Sequence, residues 1–550
     1  MSTHAIFRPP PVHNEPVLGF ERDSAERARL QARLEQMRGE QPELPLVIGG
    51  KDVTTGDLRP AVMPHDKEHV LATVHQGGAE HVQQAIDAAA TAWEDWSTWP
   101  WEDRAAVFLR AAELLSGPWR ETLLAATMLG QSKTAHQAEI DAAAEAIDFF
   151  RFNIEFMLRI YQEQPISSQG VWNRLEYRPL EGFVFAVSPF NFTAIAANLT
   201  SSPALMGNTV VWKPAGTAML SAYYLMRLFQ EAGLPDGVIN LVYGSGATIG
   251  DAALASPHLA GIHFTGSTPV FNGMWRTVAA NMDRYRNYPR IVGETGGKDF
   301  IVAHPSADVA SLAAAIVRGS FEYQGQKCSA ASRVYAPSNL WPELRERLQE
   351  EVASIKVGDV TDFGNFMGAV IDGASFSTQV EAIEEAKSNA DTEIVVGGGY
   401  DDSRGFFVDP TVLETRDPDF RLMREEIFGP VVTTYVYDES KWDDTLRLVD
   451  RTAPYALTGA VFSEDRAAAA DAQQQLRYSA GNFYVNDKPT GAVVGQQPFG
   501  GARASGTNDK AGSLWNLIRW VSPRSIKETF VPPANYRYPF LDAEPDTAGT

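Results

Sequence analysis

The spacing of apolar residues changes along the chain and predicts different elements in successive regions. Apolar residues recur at helical spacing in three early stretches that begin near Val82, Val107 and Ile140. This spacing places such side chains on one face of a helix. A charged stretch from Glu21 to Arg38 predicts a further helix, which follows a proline-rich arm. The first part of the chain is therefore predicted to be largely helical.

The region from residue 164 to residue 182 alternates in the manner of a strand. Val171, Asn173, Leu175 and Tyr177 occupy every second position, which is the periodicity of a pleated strand. A long strand-like ribbon that lies outside the regular succession of strands and helices could form an oligomerisation hairpin. Together with the segment Ile526–Val531, this ribbon predicts a domain-swapped homodimer or a higher homo-oligomer.

From Phe183 onwards, short apolar strands alternate with segments of helical length. This alternation predicts right-handed βαβ units and hence parallel sheets. Two successive runs favour two doubly wound α/β domains, with a boundary near Gly293–Lys298, where two glycines interrupt the pattern. The predicted strands are Phe183–Val187, Thr209–Trp212, Val238–Val242 and Ile262–Phe264 in the first run, and Phe300–Ala303, Arg333–Tyr335, Ile394–Val396, Val431–Tyr437 and Ala460–Phe462 in the second.

Composition and charge then narrow the class of protein. The 47 Lys and Arg residues against 69 Asp and Glu residues give a net charge of −22, which argues against nucleic acids and anionic membranes as main partners. With 44% hydrophobic residues, the chain can bury a full core. Its apolar stretches fall short of the ~18 residues of a membrane span. The first residues show neither a signal-peptide nor a transit-peptide pattern, so a cytoplasmic location is predicted.

Metal chemistry finds little support in the sequence. The only cysteine, Cys328, excludes an intrachain disulfide and any multi-thiolate metal site. His65 and His69 have the spacing of a helical zinc pair, but Pro64 precedes them and no second histidine cluster accompanies them. A solvated loop is the simpler interpretation of this pair, and no metal is predicted.

Two glycine-bearing turns follow strands of the first run. The segment 244–250 has one residue too many between its glycines for the dinucleotide-binding fingerprint. The segment 264–267 ends the next strand where a helix begins, so backbone N–H groups and Ser267 could hold a phosphate. Taken alone, either motif is more often an ordinary turn.

Three polar residues are candidates for nucleophilic chemistry. Cys328 lies among polar and glycine neighbours, although a lone cysteine is most often buried and inert. A nucleophile also needs a base and a donor for the oxyanion. Glu294 lies among glycines, and Asn191 follows a strand, at the edge where α/β proteins bind ligands. Taken singly, each of these two could equally be a solvated loop residue.

Read together and in order, seven motifs resemble the aldehyde dehydrogenase superfamily over roughly Val47 to Glu528. The region Gly491–Asp509, the stretch Glu139–Phe152 and Thr295 resemble the subfamily that acts on glutamate γ-semialdehyde, or Δ1-pyrroline-5-carboxylate. The motifs are SPFNF at 188–192, WKP at 212–214, FTGS at 264–267, ETGGK at 294–298, QKCS at 326–329, EEIFGP at 425–430 and PFGG at 498–501.

The resemblance implies a covalent mechanism. The Cys328 thiolate would attack the aldehyde carbon and form a thiohemiacetal, whose oxyanion the Asn191 amide and the Cys328 backbone N–H would stabilise. Hydride transfer to NAD would leave a thioester. Glu294 would then activate the water that hydrolyses this thioester.

The resemblance also implies an NAD site. Lys213 would contact the adenosine ribose, Gly266 and Ser267 the pyrophosphate, and Glu426 the nicotinamide ribose. The complete set of predicted cofactor-binding residues is Ser188, Lys213, Gly266, Ser267, Thr268, Pro269, Val270, Glu426 and Phe428.

The implied substrate is itself an α-amino acid, so its site needs donors for a carboxylate and apolar contacts for the stem. Ser329, Gly491 and Ala492 are predicted to supply the donors, and Phe192 and Phe499 the apolar contacts. Ala492 stands where the subfamily has a serine. The missing hydroxyl would cost about 1.5–3 kcal/mol if its partner is charged.

The predicted activity is the NAD-dependent oxidation of L-glutamate γ-semialdehyde to L-glutamate, the second step of proline catabolism. An aldehyde dehydrogenase for another short semialdehyde is the alternative, and a non-catalytic relative is a third hypothesis. A proline dehydrogenase would be a separate partner.

The sequence also predicts a division of the chain into domains. The NAD-binding domain would comprise a helical part at 41–163, a Rossmann-like part at 183–295 and a return with the substrate-anchoring loop at 486–520, and the catalytic domain would span 296–485. The remaining parts would be an N-terminal arm at 1–40, an oligomerisation hairpin at 164–182, and an oligomerisation strand and tail at 521–550.

Overall fold

Two seven-stranded sheets organise the chain in the computed structural model, which describes residue 5 and residues 7–541. In the first sheet a run of parallel strands is extended at one edge by an antiparallel pair, Leu46–Ile48 and Lys51–Val53. The central strands are buried almost along their whole length, as expected for a parallel sheet with both faces covered. In order across the sheet, the strands are Arg290–Glu294, Leu259–Thr265, Phe183–Val187, Thr209–Lys213, Ile239–Leu241, Leu46–Ile48 and Lys51–Val53.

The second sheet has the same character. Its edge strand Thr392–Val396 is antiparallel to its neighbour, and the other neighbouring strands pair in parallel. The prediction of an α/β fold with two largely parallel sheets is therefore confirmed. In order, the strands are Thr392–Val396, Thr411–Thr415, Val431–Tyr437, Ala331–Pro337, Asp299–Ala303, Thr458–Phe462 and Asn482–Val485.

Helices fill the regions where the apolar spacing predicted them, with one irregularity. The stretch that begins at Ile140 does not form a regular α-helix throughout, because Glu139–Glu145 is a single π-helical segment. The α-helices are Ala25–Glu40, Ala79–Trp96, Trp101–Ser116, Arg120–Gln131, Ala135–Ala138, Ala146–Gln162, Thr193–Leu205, Met219–Glu231, Gly246–Ala255, Thr268–Ala280, Val309–Phe321, Trp341–Ala353, Gly373–Ser388, Arg421–Arg424, Trp442–Thr452, Arg466–Gln475 and Leu514–Leu517.

The alternating region does not form a local hairpin. Its strand, Val171–Pro179, pairs antiparallel with Val521–Thr529, which lies near the other end of the chain. The ribbon is therefore built from two segments distant in sequence, and the second overlaps the segment Ile526–Val531 that the sequence analysis associated with it. Smaller sheets are formed by Glu43–Leu44, Leu58–Met63 and Asp66–His75, by Tyr400–Asp401 with Phe407–Val408, and by Tyr455–Ala456 with Ala502–Arg503.

The two histidines with zinc-like spacing do not lie in a solvated loop, so that interpretation is wrong. His65 is 1% exposed, and its Nδ1 lies 3.3 Å from the hydroxyl of Ser132. His69 belongs to the strand Asp66–His75, and its Nε2 lies 2.9 Å from the carbonyl oxygen of Arg38. Within residues 7–541, no cluster of His, Cys, Asp and Glu side chains has the composition of a metal site. None of the helices described is both long and apolar enough to pass through a bilayer.

Candidate active site

A left-handed turn after the helix Val309–Phe321 presents Cys328. Tyr323 and Gln324 have φ angles of 52° and 55°, in a region that is unfavourable for residues with a Cβ. The Tyr323 hydroxyl donates a hydrogen bond to the carbonyl of Gln131 at 2.9 Å. The side-chain amide of Gln324 is bonded to three backbone groups. The surroundings thus hold the turn in the conformation that positions the cysteine.

Two glycines allow the backbone to pack closely around this turn. A Cβ added to Gly297 would lie 2.3 Å from the carbonyl oxygen of Cys328. A Cβ added to Gly296 would lie 2.2 Å from Oε2 of Glu426. Both distances are far below van der Waals contact, so only glycine fits at these positions. The ETGGK motif therefore joins the end of the first sheet to the turn and to the Glu426 loop.

Glu294 ends a strand of the first sheet with its carboxyl group buried. Its Oε2 has no hydrogen-bond partner among the residues that the structure describes. Burial raises the pKa of Glu294 well above its ordinary value, and the nearby Lys510 offsets this only in part. A carboxylate with a raised pKa accepts a proton more readily, which suits a general base.

Cys328 and Glu294 line one cavity of about 460 Å³, a volume typical of small-molecule sites. Cys328 is half-buried, so the sulfur is accessible from the cavity rather than enclosed in packed hydrocarbon. All five residues predicted for substrate binding line the same space: Ser329, Gly491, Ala492, Phe192 and Phe499.

The surroundings of the Cys328 thiol favour its protonated form. Burial holds the pKa of Cys328 well above its usual range, and the negative charges of Asp299 and Glu294 act in the same direction. A thiol in such surroundings is a weak nucleophile until it loses its proton. The site therefore needs an acceptor for the thiol proton, and several carboxyl groups, among them Glu294, Glu145 and Asp148, line the cavity with the sulfur.

Asn191 lies beside the cysteine turn but is not among the residues that line the cavity. Its side chain is 3% exposed, and its Nδ2 donates a hydrogen bond to the carbonyl of Gln326 at 3.1 Å. An amide nitrogen carries two hydrogens, so a second N–H is left for another acceptor. The structure thus brings the three candidate catalytic residues into one region, two of them in the cavity.

The predicted substrate-anchoring segment is tied to the cysteine turn. The Ser329 hydroxyl lies 2.8 Å from the hydroxyl of Thr490. Lys488 Nζ donates a hydrogen bond to the Thr490 carbonyl at 3.0 Å. Gly491 follows with a φ of 96°, a conformation that favours glycine. Its backbone therefore lies next to the residues that flank the thiol.

Three cations outside the predicted set of site residues line the same cavity. Arg318, Lys327 and Lys488 come from three separate segments of the chain. Glu322 lies among them, with its Oε2 2.9 Å from Lys327 Nζ and 3.8 Å from Lys488 Nζ. Burial would raise the pKa of Glu322, but these two ammonium groups lower it to about 2. The sequence offered no signal for this cluster, because its members are brought together only by the fold.

Acidic residues missed by the sequence analysis also line the cavity. Glu145 ends the π-helical segment and Asp148 lies in the first turn of the next helix. Burial raises the pKa of Glu145 to about 8 and that of Asp148 to about 6. The apolar spacing of this stretch indicates only its buried face, and the π-helical turn changes which polar side chains lie near that face.

A second group of predicted residues lies at the carboxyl ends of three neighbouring parallel strands of the first sheet. Ser188 follows one strand, Lys213 ends the next, and Gly266 follows the third. Carboxyl ends of parallel strands meet at one edge of a sheet, which is where α/β proteins bind nucleotides. The topology therefore assembles residues that are far apart in the sequence.

The chemistry of this edge fits a dinucleotide. Burial lowers the pKa of Lys213, and no carboxylate among the described residues offsets that shift, so its ammonium is available to a ligand. Ser267 precedes the helix Thr268–Ala280 and makes no side-chain bond to it. The unbonded N–H groups of such a helix start attract a pyrophosphate. Pro269 and Val270 are exposed in the first turn, and the Thr268 hydroxyl donates a hydrogen bond to the carbonyl of Ala504 at 3.0 Å.

The loop with Glu426 and Phe428 connects this edge to the cysteine turn. Glu426 Oε1 accepts a hydrogen bond from the N–H of Gly297 at 2.8 Å, and burial raises the pKa of Glu426 to about 7. The Phe428 ring lies edge-on to Phe190, with centroids 5.8 Å apart. Since Phe190 lies between Ser188 and Asn191 in the sequence, the two groups of predicted residues adjoin each other.

Comparisons with known proteins agree with this arrangement. The family model for the aldehyde dehydrogenase family matches residues 54–526. A relative from Dictyostelium discoideum, the mitochondrial Delta-1-pyrroline-5-carboxylate dehydrogenase, is 52% identical over 536 residues, which cover 97% of this chain and 96% of the relative. The crystal structure of the Delta-pyrroline-5-carboxylate dehydrogenase from Mycobacterium tuberculosis bound with NAD is 52% identical, with a TM-score of 0.95, and the match covers 98% of this chain and 100% of that chain. Proline utilization A from Bdellovibrio bacteriovorus is 31% identical, with a TM-score of 0.90, over 96% of this chain and 55% of that chain.

The fold and the site define an α/β oxidoreductase with a nucleotide-binding sheet edge. The chain belongs to the aldehyde dehydrogenase family. The predicted family and the predicted enzyme class are thereby confirmed. The predicted function and the predicted NAD cofactor agree with the names of these relatives and with the NAD-bound structure.

The predicted cytoplasmic location is wrong. Relatives that match nearly the whole chain, among them the one from Dictyostelium discoideum, are named mitochondrial enzymes. The location was predicted from the lack of a signal-peptide or transit-peptide pattern in the first residues and of a membrane span. The single cysteine fits any reducing compartment, so it does not distinguish one such compartment from another.

Proposed function

We propose that the chain oxidises L-glutamate γ-semialdehyde to L-glutamate with NAD as the hydride acceptor, the second step of proline catabolism. The observation that carries this proposal is the composition of the 460 Å³ cavity, which contains a thiol, a buried carboxyl group and side chains of both charges. An α-amino acid aldehyde carries one carboxylate and one ammonium group, so both charges have a counterpart. The names of the relatives support the same substrate.

The two ends of the substrate have different partners in this proposal. The cations Arg318, Lys327 and Lys488 attract the α-carboxylate, as does the left-handed backbone at Gly491. The acidic groups of the π-helical turn face the α-ammonium. The other substrate contacts are the Ser329 hydroxyl, the Ala492 backbone, the rings of Phe192 and Phe499, and the carboxyl groups of Glu145 and Asp148.

The first chemical step takes place at the sulfur. Cys328 Sγ passes its proton to solvent water in the cavity and forms a bond to the aldehyde carbon, and the carbonyl π electrons move onto the oxygen. The second N–H of the Asn191 amide and the Cys328 backbone N–H donate hydrogen bonds to this oxyanion. Removing one such donor typically raises the barrier by ~2.7–4 kcal/mol. NAD, when bound, supplies the acceptor for the hydride that leaves the tetrahedral carbon.

The second step releases the product. Glu294 Oε2, which has no hydrogen-bond partner within residues 7–541, accepts a proton from the water that attacks the resulting thioester. The carbon–sulfur bond then breaks, the electron pair returns to Cys328, and glutamate leaves with the water oxygen in its new carboxylate. The raised pKa of Glu294 strengthens it as the base for this step.

The cofactor site in this proposal is the edge formed by the parallel strands of the first sheet. Lys213 holds the adenosine ribose, Gly266 and Ser267 hold the pyrophosphate, and Glu426 holds the nicotinamide ribose. Glu426 Oε1 is already bonded to a backbone N–H, which fixes the carboxyl group for this contact. Ser188, Thr268, Pro269, Val270 and Phe428 complete the proposed set.

The proposed domain division follows the two sheets. The first sheet with the early helices forms the NAD-binding part, and the second sheet forms the catalytic domain.

The ribbon of Val171–Pro179 and Val521–Thr529 is the proposed contact in a homodimer. A separate proline-oxidising enzyme supplies the substrate. Analytical ultracentrifugation that finds a monomer at micromolar concentration would contradict the proposed dimer.

A comparison of aldehydes tests the proposed substrate. We expect kcat/KM for glutamate γ-semialdehyde to exceed the values for succinic semialdehyde and propanal, measured by NADH formation at saturating NAD. Succinic semialdehyde lacks the α-ammonium, and propanal lacks both charged groups. Equal values for the three aldehydes would contradict the proposal, and a preference for succinic semialdehyde would favour an enzyme for another short semialdehyde.

A further inference from the structure

The N-terminal arm reaches the substrate cavity. Asn14, Glu15 and Val17 line it together with the cysteine and its neighbours. These three residues precede the first helix, Ala25–Glu40, and lie outside the region that the family model matches. None of the seven motifs includes them. The arm therefore contributes to the cavity wall without a role in the mechanism described above.

The side-chain amide of Asn14 is fully used in hydrogen bonds. Its Nδ2 donates to Asp148 Oδ2 at 2.7 Å and to the carbonyl of Val494 at 2.8 Å. Its Oδ1 accepts a hydrogen bond from Gln496 Nε2 at 2.9 Å. Both hydrogens and the oxygen of the amide have partners, which also defines its orientation. Among the described residues of the arm, no other uncharged side chain makes these three hydrogen bonds.

These contacts join two walls of the cavity. Asp148 belongs to the helix Ala146–Gln162, whereas Val494 and Gln496 belong to the segment 491–497, which follows Thr490, the residue whose hydroxyl is hydrogen-bonded to Ser329. Within this segment the φ angles of its two glycines are 96° and 82°. Glycine has access to more backbone conformations than any other residue, so this segment needs contacts from outside to keep one conformation. Asn14 supplies two of them, and its third hydrogen bond goes to Asp148.

A buried ion-pair network keeps the arm in place. The backbone N–H of Glu15 donates to Asp148 Oδ1 at 2.7 Å. The two carboxylate oxygens of Glu15 each lie 2.7 Å from a guanidinium nitrogen, one of Arg120 and one of Arg151. Arg120 is only 5% exposed. Asn14 is thus held at its position independently of the segment that it contacts.

We propose that Asn14 is a positioning residue for substrate selection. Its amide holds the segment 491–497 against Asp148, so that the backbone N–H groups next to Gly491 stay aligned with the α-carboxylate of the substrate. The effect passes through the segment and needs no contact between Asn14 and the reacting atoms. This inference rests on the proposed function, because it assumes a substrate whose carboxylate is bound by that segment.

The test compares two aldehydes in the Asn14→Ala variant. We expect kcat/KM for glutamate γ-semialdehyde to fall about tenfold, which corresponds to ~1.4 kcal/mol of binding, mainly through a higher KM. The kcat/KM for propanal and the KM for NAD should stay unchanged, because neither depends on the segment. The His13→Ala variant, at an exposed neighbouring position, is the matched control and should resemble the wild type.

A second variant separates positioning from folding. Gln496 is exposed, so Gln496→Ala removes one bond to Asn14 with little risk to the fold. It should raise the KM for glutamate γ-semialdehyde in the same direction but by less, and its effect should be smaller in the Asn14→Ala background. Rescue is expected from neither Asn14→Asp nor Asn14→Leu, since both lack the two N–H donors.

The outcomes are distinguishable. If Asn14→Ala lowers kcat/KM for both aldehydes by the same factor, or for neither, the positioning role is wrong while the proposed function stands. If the wild type itself does not distinguish the two aldehydes, the proposed function fails, and the inference fails with it.

Discussion

The two ends of the cavity treat buried polar groups in opposite ways. At the reaction end, Glu294 Oε2 has no partner, and burial raises the pKa of both Glu294 and Cys328. At the anchoring end, Glu322 is paired with Lys327 and Lys488, and its pKa is lowered to about 2. At the reaction end, the groups can therefore change their protonation state. At the anchoring end, the charges stay constant.

This difference matches the demands on each end. A buried group without a partner costs stability, but its lone pairs remain available to water or substrate. Paired and hydrogen-bonded groups cannot exchange protons easily, but they keep a fixed field and geometry. Substitutions at the reaction end should therefore abolish turnover with little loss of stability. Substitutions at the anchoring end should alter substrate selectivity or stability more than the rate of the chemical steps.

The largest expected effect is that of Cys328→Ala. Loss of a covalent nucleophile lowers kcat by roughly 10⁴-fold or more, because the aldehyde carbon can no longer become tetrahedral on the enzyme. The thermal midpoint should hardly change, since the thiol is half-buried and faces the cavity. NADH formation and a thermal melt measure the two effects. Substantial turnover by Cys328→Ser or Cys328→Ala would exclude a mechanism through the thiol.

The next effect is that of Glu294→Gln, which keeps the shape of the side chain but removes the base. We expect steady-state kcat to fall about 10²–10⁴-fold, the usual contribution of a general base. If Glu294 acts on the hydrolytic water, a rapid burst of NADH, about one equivalent per site, should persist before the slow phase. The matched control is Glu35→Gln on the exposed face of the first helix. An unchanged kcat would remove Glu294 from the mechanism.

Much of the reaction end could be predicted because short-range chemistry determines it. The ETGGK motif requires glycines where backbone meets Cys328 and Glu426, and such packing leaves a readable pattern. The cofactor residues were predicted from the resemblance of short motifs to the family, and the topology explains why Ser188 and Lys213 lie at one edge, since they follow or end neighbouring apolar strands. In both cases the informative residues are adjacent in sequence to the feature that explains them.

The anchoring end could not be predicted from local patterns, because its contacts span the chain. Asn14 reaches Asp148 across 134 positions and Val494 across 480. The ribbon partner Val521–Thr529 is equally remote from Val171–Pro179. A charged side chain gives no periodic signal, and solvent exposure is the usual state of such residues. Only the fold shows that Lys327 and Lys488 share one carboxylate.

The smallest expected effect is on stability. It tests whether every carboxyl group at the anchoring end is paired with a cation and has a lowered pKa, as Glu322 does. Glu145 does not, because burial, reinforced by Asp141, raises its pKa from 4.5 to about 8, and Lys133 offsets this only in part. Below pH 4.5 the group is protonated in both folded and unfolded chains, so its contribution to stability is fully present. As the pH rises towards 8, the unfolded chain releases the proton first, and that contribution is lost.

Glu145→Gln removes this titration while keeping the size of the side chain. The thermal midpoint of the variant relative to the wild type should therefore rise between pH 4.5 and 8 and then level off, by roughly 1 °C for each kcal/mol of the penalty in a chain of 550 residues. Differential scanning calorimetry across this range measures the difference, with Glu35→Gln as the control that should show none. A constant difference at all pH values would mean that Glu145 is ionised in the folded chain and paired like Glu322, and the contrast between the two carboxyl groups would then disappear.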